Sequence, residues 1–223
     1  ASDLDARMAR PQRHRLLHGY PMAPLLADHE VDQPLPPWRR LGLDEARPVL
    51  VGVLPHTFCN PAVRGCGFCT FPHEKHSNDE ARAVVARVAR EVRRTREVFP
   101  ELTSRSIPAL YFGGGTANLT PPDASEQLAS ALEETFDLRD AELSFEGAAR
   151  YFLTRDEALL DRFERMRSKT KRLSIGVQTF DPTWLAKMGR TAFGDTGTFA
   201  AVVKTAHARG MTVSCDLLFN LPG

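Results

Sequence analysis

Five short apolar runs alternate with segments that carry helix-start signals, and this alternation limits the possible folds more than any other feature of the chain. The runs are Val49–Leu54, Pro108–Phe112, Leu143–Glu146, Leu173–Val177 and Val213–Phe219. The first is apolar almost without a break, which predicts a strand buried on both faces. Between the runs, Ser77 with Glu80 and Thr154 with Glu157 have the spacing of capping boxes. Pro121 suits the first position of a helix. Asp181 with Pro182 opens a short helix, and Gly210 is placed to end a later one. Strands separated by helices predict βαβ units, a parallel sheet and the α/β class. Ligands of such sheets bind at the carboxyl ends of the strands, so the chemistry is sought there. Residues 1–48, rich in Pro, Arg and His, lack this pattern and are expected to form an extension or lid over a core of residues 49–223.

Composition narrows the function classes. Apolar residues make up 42% and charged residues 26%, with a net charge of +1, as in an ordinary soluble domain. No overall field favours nucleic acid or a membrane surface. No apolar run is long enough to span a bilayer and no secretory signal is visible, so a cytoplasmic protein is expected.

Three of the four cysteines fall in Cys59-Asn-Pro-Ala-Val-Arg-Gly-Cys66-Gly-Phe-Cys69, directly after the first run. Clustered thiols in a cytosolic chain point to a metal or redox site rather than to disulfides. Three thiolates leave one iron of a cubane cluster open to a further ligand. Zinc is the alternative, since Cys66 and Cys69 with His73 and His76 make a possible tetrahedral set. Cys215 lies in an apolar run and reads as a small core residue. The glycine run of Tyr111-Phe-Gly-Gly-Gly-Thr116 follows the second strand; it matches neither a P-loop nor a dinucleotide fingerprint. Glu146 ends the third strand, Gln178 the fourth, and Asp216 lies in the fifth. Three polar side chains at equivalent strand ends point to a bound ligand.

The cysteine segment, the glycine run, Glu146, Ser174-Ile-Gly-Val-Gln-Thr-Phe180, Gly189-Arg190 and Cys215-Asp-Leu-Leu-Phe-Asn-Leu-Pro-Gly223 occur in an order that resembles the HemN-like group of radical S-adenosylmethionine proteins. The resemblance runs over about residues 49–223. It implies a partial parallel (β/α) barrel, with a C-terminal part expected beyond Leu-Pro-Gly. It implies that Cys59, Cys66 and Cys69 ligate a [4Fe-4S] cluster whose open iron takes the amino and carboxylate groups of S-adenosylmethionine. By the same resemblance, Gly114, Gly115 and Thr116 hold the methionine amino end, Arg190 its carboxylate, and Glu146 binds nearby. Gln178 and Asp216 meet the ribose and Phe68 the adenine. The implied chemistry is reductive cleavage of S-adenosylmethionine to a 5′-deoxyadenosyl radical that acts on a small molecule. Reduced flavodoxin or ferredoxin is the implied electron donor, for which Arg87, Arg90 and Arg94 on one helix face are a candidate patch. Six residues separate the first two cysteines where the group has three. Val51 and Val53 stand where the group's coproporphyrinogen oxidases have a tyrosine and a histidine. Methyl transfer or cyclopropane formation is therefore expected ahead of porphyrinogen decarboxylation. A non-catalytic haem carrier, with His56 as axial ligand, is the alternative of a different class.

Overall fold

A computed structural model describes residues 46–60, 66, 68–69, 74–154 and 158–221. The chain divides at Asp44 and Glu45 into two compact units. The first unit, with nearly all of the expected lid, lies outside the described residues, so the fold below is that of the second.

Its elements are β1 (Leu50–Val53), β2 (Phe58–Cys59), β3 (Glu74–Lys75), α1 (Asn78–Val98), α2 (Pro100–Thr103), β4 (Ala109–Phe112), α3 (Pro122–Thr135), β5 (Glu142–Gly147), α4 (Ala149–Thr154), α5 (Ala158–Arg165), β6 (Thr170–Gln178), α6 (Pro182–Lys187), α7 (Thr196–Ala208) and β7 (Thr212–Leu217). Strands β1, β4, β5, β6 and β7 form one parallel sheet in that order. Each neighbour in the sheet is thus the next long strand in the chain, joined by a helical crossover, as the alternation of signals predicts. β2 and β3 make a separate two-residue parallel ladder, with Cys59 opposite Lys75, and so bracket the segment that carries Cys66 and Cys69.

The local signals act as expected at several helix starts. The Ser77 hydroxyl accepts from the Glu80 amide at the start of α1. The Asp181 carboxylate accepts from the Thr183 and Trp184 amides at α6, and Asp195 from the Thr198 amide at α7. Gly210, at φ 70°, follows the end of α7 in the left-handed conformation that ends helices. Two signals are displaced. Pro122, not Pro121, takes the first helical position of α3. Thr154 belongs to α4, a short helix the pattern did not announce; its proposed partner Glu157 lies outside the described residues.

The expectation that the first strand is buried on both faces is corrected, since Leu50 and Gly52 are exposed on one side of it. The apolar core lies on one face of the sheet. Val53, Leu110, Phe112, Leu143, Phe145, Leu173, Ile175 and Val177 pack there against Val85 and Ala89 of α1, Leu128 and Leu132 of α3, Phe163 of α5 and Val202 of α7. Phe145 stands at the centre of this layer, with ring centroids of Phe112 and Phe163 at 5.5 and 5.4 Å. The alternate residues, on the other face, include Tyr111, Ser144, Glu146, Arg172, Ser174 and Asp216. Arg172 and Glu142 form an ion pair across this face at 2.8 Å. A buried layer on one side and a polar face on the other is what a half-closed barrel requires if its concave side is to receive a ligand. The sheet's ends depart from expectation for the same reason. Leu50 is 73% exposed because it lies on the open face, in register with Ala109, and Cys215, on the edge strand β7, is exposed rather than a core residue. Phe219, expected to end the fifth strand, lies beyond it.

Candidate functional site

The polar strand-end residues converge because the sheet is parallel. Glu146 is near the carboxyl end of β5, Gln178 ends β6 and Asp216 lies near the end of β7. The glycine turn follows β4, and Cys59 follows β1. Every one of these positions is therefore on the same rim. Of the eleven residues expected to bind cofactor or metal, all but Asp216 line a single cavity of about 150 Å³. Asp216 stands exposed beside it, close enough that its charge raises the pKa of Glu146. A larger open hollow of about 550 Å³ lies at the amino-terminal ends of the strands, between Arg96, Glu133, Asp137 and Arg167. Its position is wrong for the ligands of a parallel sheet, and its charges are engaged in pairs such as Arg139 with Asp137.

The glycine turn and the cysteine strand are fastened together. The Gly113 amide donates to the Val53 carbonyl, and the Thr116 amide donates to that of Phe58. A Cβ at Gly115 would stand 2.5 Å from the carbonyl oxygens of both Thr57 and Phe58. Glycine there is a condition for the cysteine strand to come this close. The Thr116 hydroxyl lies 3.0 Å from the Cys59 sulfur. The Cys69 amide donates to the Cys66 carbonyl, which turns the two sulfurs toward one end of the cavity.

Burial, foremost, pushes the Cys66 thiol above its ordinary pKa; the neighbouring sulfurs Cys59 and Cys69 add to this, and Arg190 opposes it. The three thiols are thus near enough to repel as thiolates. Among the described residues, no three His, Cys, Asp or Glu side chains are drawn into a closed metal site. His76, one member of the alternative zinc set, bonds through Nε2 to the Leu119 carbonyl at 3.0 Å; His73 lies outside the described residues.

Arg190 is buried, at 9% exposure. Its Nη1 donates to the Cys66 sulfur at 3.1 Å and its Nη2 to the Gly176 carbonyl at 2.6 Å. Glu146 sits below it on the rim. Burial and then the like charge of Asp216 raise the pKa of Glu146, while Arg190 lowers it. The Tyr111 hydroxyl donates to Glu146. Gln178 holds φ at 68°, a left-handed conformation costly for a residue with a side chain. It is fixed by the Leu218 amide donating to its carbonyl, at an irregularity in the β6–β7 register.

Several residues of the site are not marked by any local sequence signal. Asn118 is fully buried: its Nδ2 donates to the Ala148 carbonyl and its Oδ1 accepts from the Ala148 amide. It thereby ties the glycine turn to the end of β5 that carries Glu146. A Cβ at Gly176 would come within 2.8 Å of Gln178 Nε2 and 3.1 Å of Arg190 Nη2, so that glycine makes room for both. Phe193 packs on the Arg190 guanidinium, with the cation 4.5 Å from the ring centre. Gly176 lies within the quoted Ser174–Phe180 motif; alternation along β6 would have placed it beside Gln178 on the open face.

The family model described as the Radical SAM superfamily matches residues 53–223, which includes every residue of this cavity. The chain belongs to the Radical SAM superfamily. Within it, the chain is 32% identical over 162 residues to an anaerobilin synthase of Escherichia coli O157:H7, which covers 71% of this chain and 34% of that protein. It is 31% identical over 144 residues to an oxygen-independent coproporphyrinogen III oxidase of Bradyrhizobium diazoefficiens, covering 62% and 30%. It is 30% identical over 127 residues to the heme chaperone HemW of Lactococcus lactis, covering 57% and 32%. The solved coproporphyrinogen III oxidase HemN of Escherichia coli superposes with a TM-score of 0.64 at 25% identity, over 80% of this chain and 39% of that one. The protein is thus HemN-like, and spans about a third of the length of the curated relatives it matches.

The superfamily implies a [4Fe-4S] cluster and S-adenosylmethionine, and the residues lining the cavity have the donor chemistry for both. Three soft sulfur donors suit iron. Beside them Arg190 Nε is buried and, among the described residues, has no hydrogen-bond partner, which leaves it as a donor for an anionic group. Among the described residues, no helix is long and apolar enough to cross a membrane.

Proposed function

We propose that this chain is the radical-forming unit of a HemN-like enzyme and acts on a small molecule held against the concave face of its sheet. The observation that carries the reading is the single cavity in which three cysteines meet the glycine turn, Glu146, Gln178 and Arg190. Cys59, Cys66 and Cys69 would hold the cluster. Arg190, with its spare Nε, would receive the cofactor's carboxylate, and Gln178 and Asp216 its ribose. When bound, cluster and S-adenosylmethionine supply a 5′-deoxyadenosyl radical for hydrogen abstraction. This chain's own residues bind and orient: the Gly115 contact sets the cysteine strand, Asn118 sets the strand end under Glu146, and the buried Phe193 forms an apolar wall of the cavity. An exposed row, Arg87, Arg90 and Arg94 on α1, suits an acidic electron donor such as reduced flavodoxin or ferredoxin.

Among HemN-like reactions we favour methyl transfer or cyclopropane formation. Val53 is buried and Val51 packs against the same core, so neither offers a polar group to the cavity at the positions that hold tyrosine and histidine in the oxidases. Delivery of haem is supported less. His56, its candidate ligand, is 1% exposed and packed between the rings of Phe58 and His76. The branch is tested with the full-length protein, anaerobically reduced with dithionite and given S-adenosylmethionine and coproporphyrinogen III. The favoured branch predicts no carbon dioxide from coproporphyrinogen, and S-adenosylhomocysteine once its own acceptor is present. Decarboxylation at an enzyme-like rate would refute that branch. Tight haem binding without 5′-deoxyadenosine formation would support the carrier instead.

A further inference from the structure

We propose that Arg190 tunes the cluster: its Nη1–H donates a hydrogen bond to the Cys66 sulfur when the cluster is bound, and raises the cluster's reduction potential. The inference rests on the reading of Cys66 as a cluster ligand. The bond is present at 3.1 Å, and the arginine does not depend on that sulfur for its place. Nη2 is tied to the Gly176 carbonyl at 2.6 Å. The guanidinium lies against Phe193 on one side, at 4.5 Å, and nearer the cavity faces Phe68 at 5.8 Å. The residue's own backbone is fixed by its amide donating to the Leu185 carbonyl and by its carbonyl accepting from the Phe193 amide. A side chain held at four points stays aimed at Cys66.

The electronic consequence follows from charge. A reduced cluster is more negative than an oxidised one, and part of the added charge resides on its sulfurs. A cationic donor on one of them stabilises the reduced form more than the oxidised form. With Arg190 only 9% exposed, water screens this little. The role is compatible with carboxylate binding. Arginine has five N–H bonds, of which the fork spends one on Cys66 and one on Gly176, leaving Nε and the remaining Nη hydrogens. One side chain would then touch both the cluster's ligand and its cofactor, so that reduction is eased where the electron is needed.

The test is the midpoint potential of the cluster in the anaerobically reconstituted full-length protein, without S-adenosylmethionine, followed by electron paramagnetic resonance in a mediated titration. Wild type is compared with Arg190→Gln and Arg190→Lys. At the potential where wild type is half reduced, Arg190→Gln should have roughly a tenfold lower ratio of reduced to oxidised cluster, a shift of about 59 mV to more negative potential for one electron. Arg190→Lys keeps the charge but not the fork and should fall between. Gly176→Ala, whose Cβ would press on Nη2 at 3.1 Å, should shift the potential the same way with Arg190 still present. Midpoints equal to wild type in the variants overturn the proposal. Wild-type protein that takes up no iron would instead overturn the assignment of Cys66 as a ligand, which separates the two failures.

Discussion

Asn118→Ala should be the most damaging single change outside the cavity, and its cost can be worked from the structure. Asn118 is 0% exposed and makes two hydrogen bonds, 2.9 and 3.1 Å, to the carbonyl and amide of Ala148, itself 6% exposed. Each net bond is worth about 0.5–1.5 kcal/mol, and each buried backbone group left unpaired costs about 1–3 kcal/mol. Nothing else replaces the lost atoms, because the Asn118 amide fills the space beside Gly147, where a Cβ would be 2.4 Å from it. A loss of about 3 kcal/mol is a conservative sum, and for a chain of this size it lowers Tm by about 6–12 °C. Urea titration followed by circular dichroism measures it as a lower midpoint at an unchanged slope. The same clamp holds the end of β5 under Glu146, so affinity for S-adenosylmethionine should also fall under conditions where the variant is folded. A loss below about 1 kcal/mol would mean that the Ala148 groups are served in another way and that Asn118 is not the clamp.

Gly115→Ala should fold poorly or fail to load iron, because its Cβ meets backbone oxygens of Thr57 and Phe58 that cannot turn aside; iron content equal to wild type would refute the close approach. Glu146 has its pKa raised, so the folded state holds its proton to higher pH than the unfolded state does. Its contribution to stability is therefore fully present below the ordinary carboxylate pKa and is lost as pH rises through the folded value. Glu146→Gln should raise the Tm of the cofactor-free protein at neutral pH, and the gain should vanish near pH 4; a gain that is constant with pH would show another cause. Asp216→Ala should weaken S-adenosylmethionine binding roughly ten- to a hundredfold, the equivalent of one charged hydrogen bond, and Gln178→Ala roughly two- to tenfold, the equivalent of one neutral bond, both leaving the cluster in place. Calorimetric titration of the reconstituted protein with S-adenosylmethionine measures both, and unchanged affinities would remove these residues from the ribose site.

Much of this was legible in the sequence because the two strongest signals are local. A Ser77 hydroxyl three residues before a Glu80 amide starts a helix through contacts within one turn. Once five strands alternate with helices, parallel order follows from topology, and the strand-end residues must share a rim. That is why the sequence alone places Cys59, Glu146 and Gln178 on one rim, where they line one cavity. What was not legible depends on contacts distant in the chain. Whether a strand is covered on one face or two is set by its neighbours, and Cys215 is exposed because β7 is an edge. Asn118 reads as an ordinary loop residue until Ala148 is known to lie across from it. Arg190 could be matched to a carboxylate, but its bond to Cys66 spans 124 residues of chain and has no local trace.

The central claim is that the cavity at the strand ends generates a radical from S-adenosylmethionine. It is tested most directly by anaerobic reconstitution of wild type and of Cys59→Ala, Cys66→Ala and Cys69→Ala, with Cys215→Ala as the control. Each protein is then incubated with dithionite and S-adenosylmethionine, and 5′-deoxyadenosine is quantified by mass spectrometry. Wild type and Cys215→Ala should hold about four irons and four sulfides and form 5′-deoxyadenosine. The other three variants should do neither. Stoichiometric zinc in place of iron, or an intact cluster that yields no 5′-deoxyadenosine, would contradict the account.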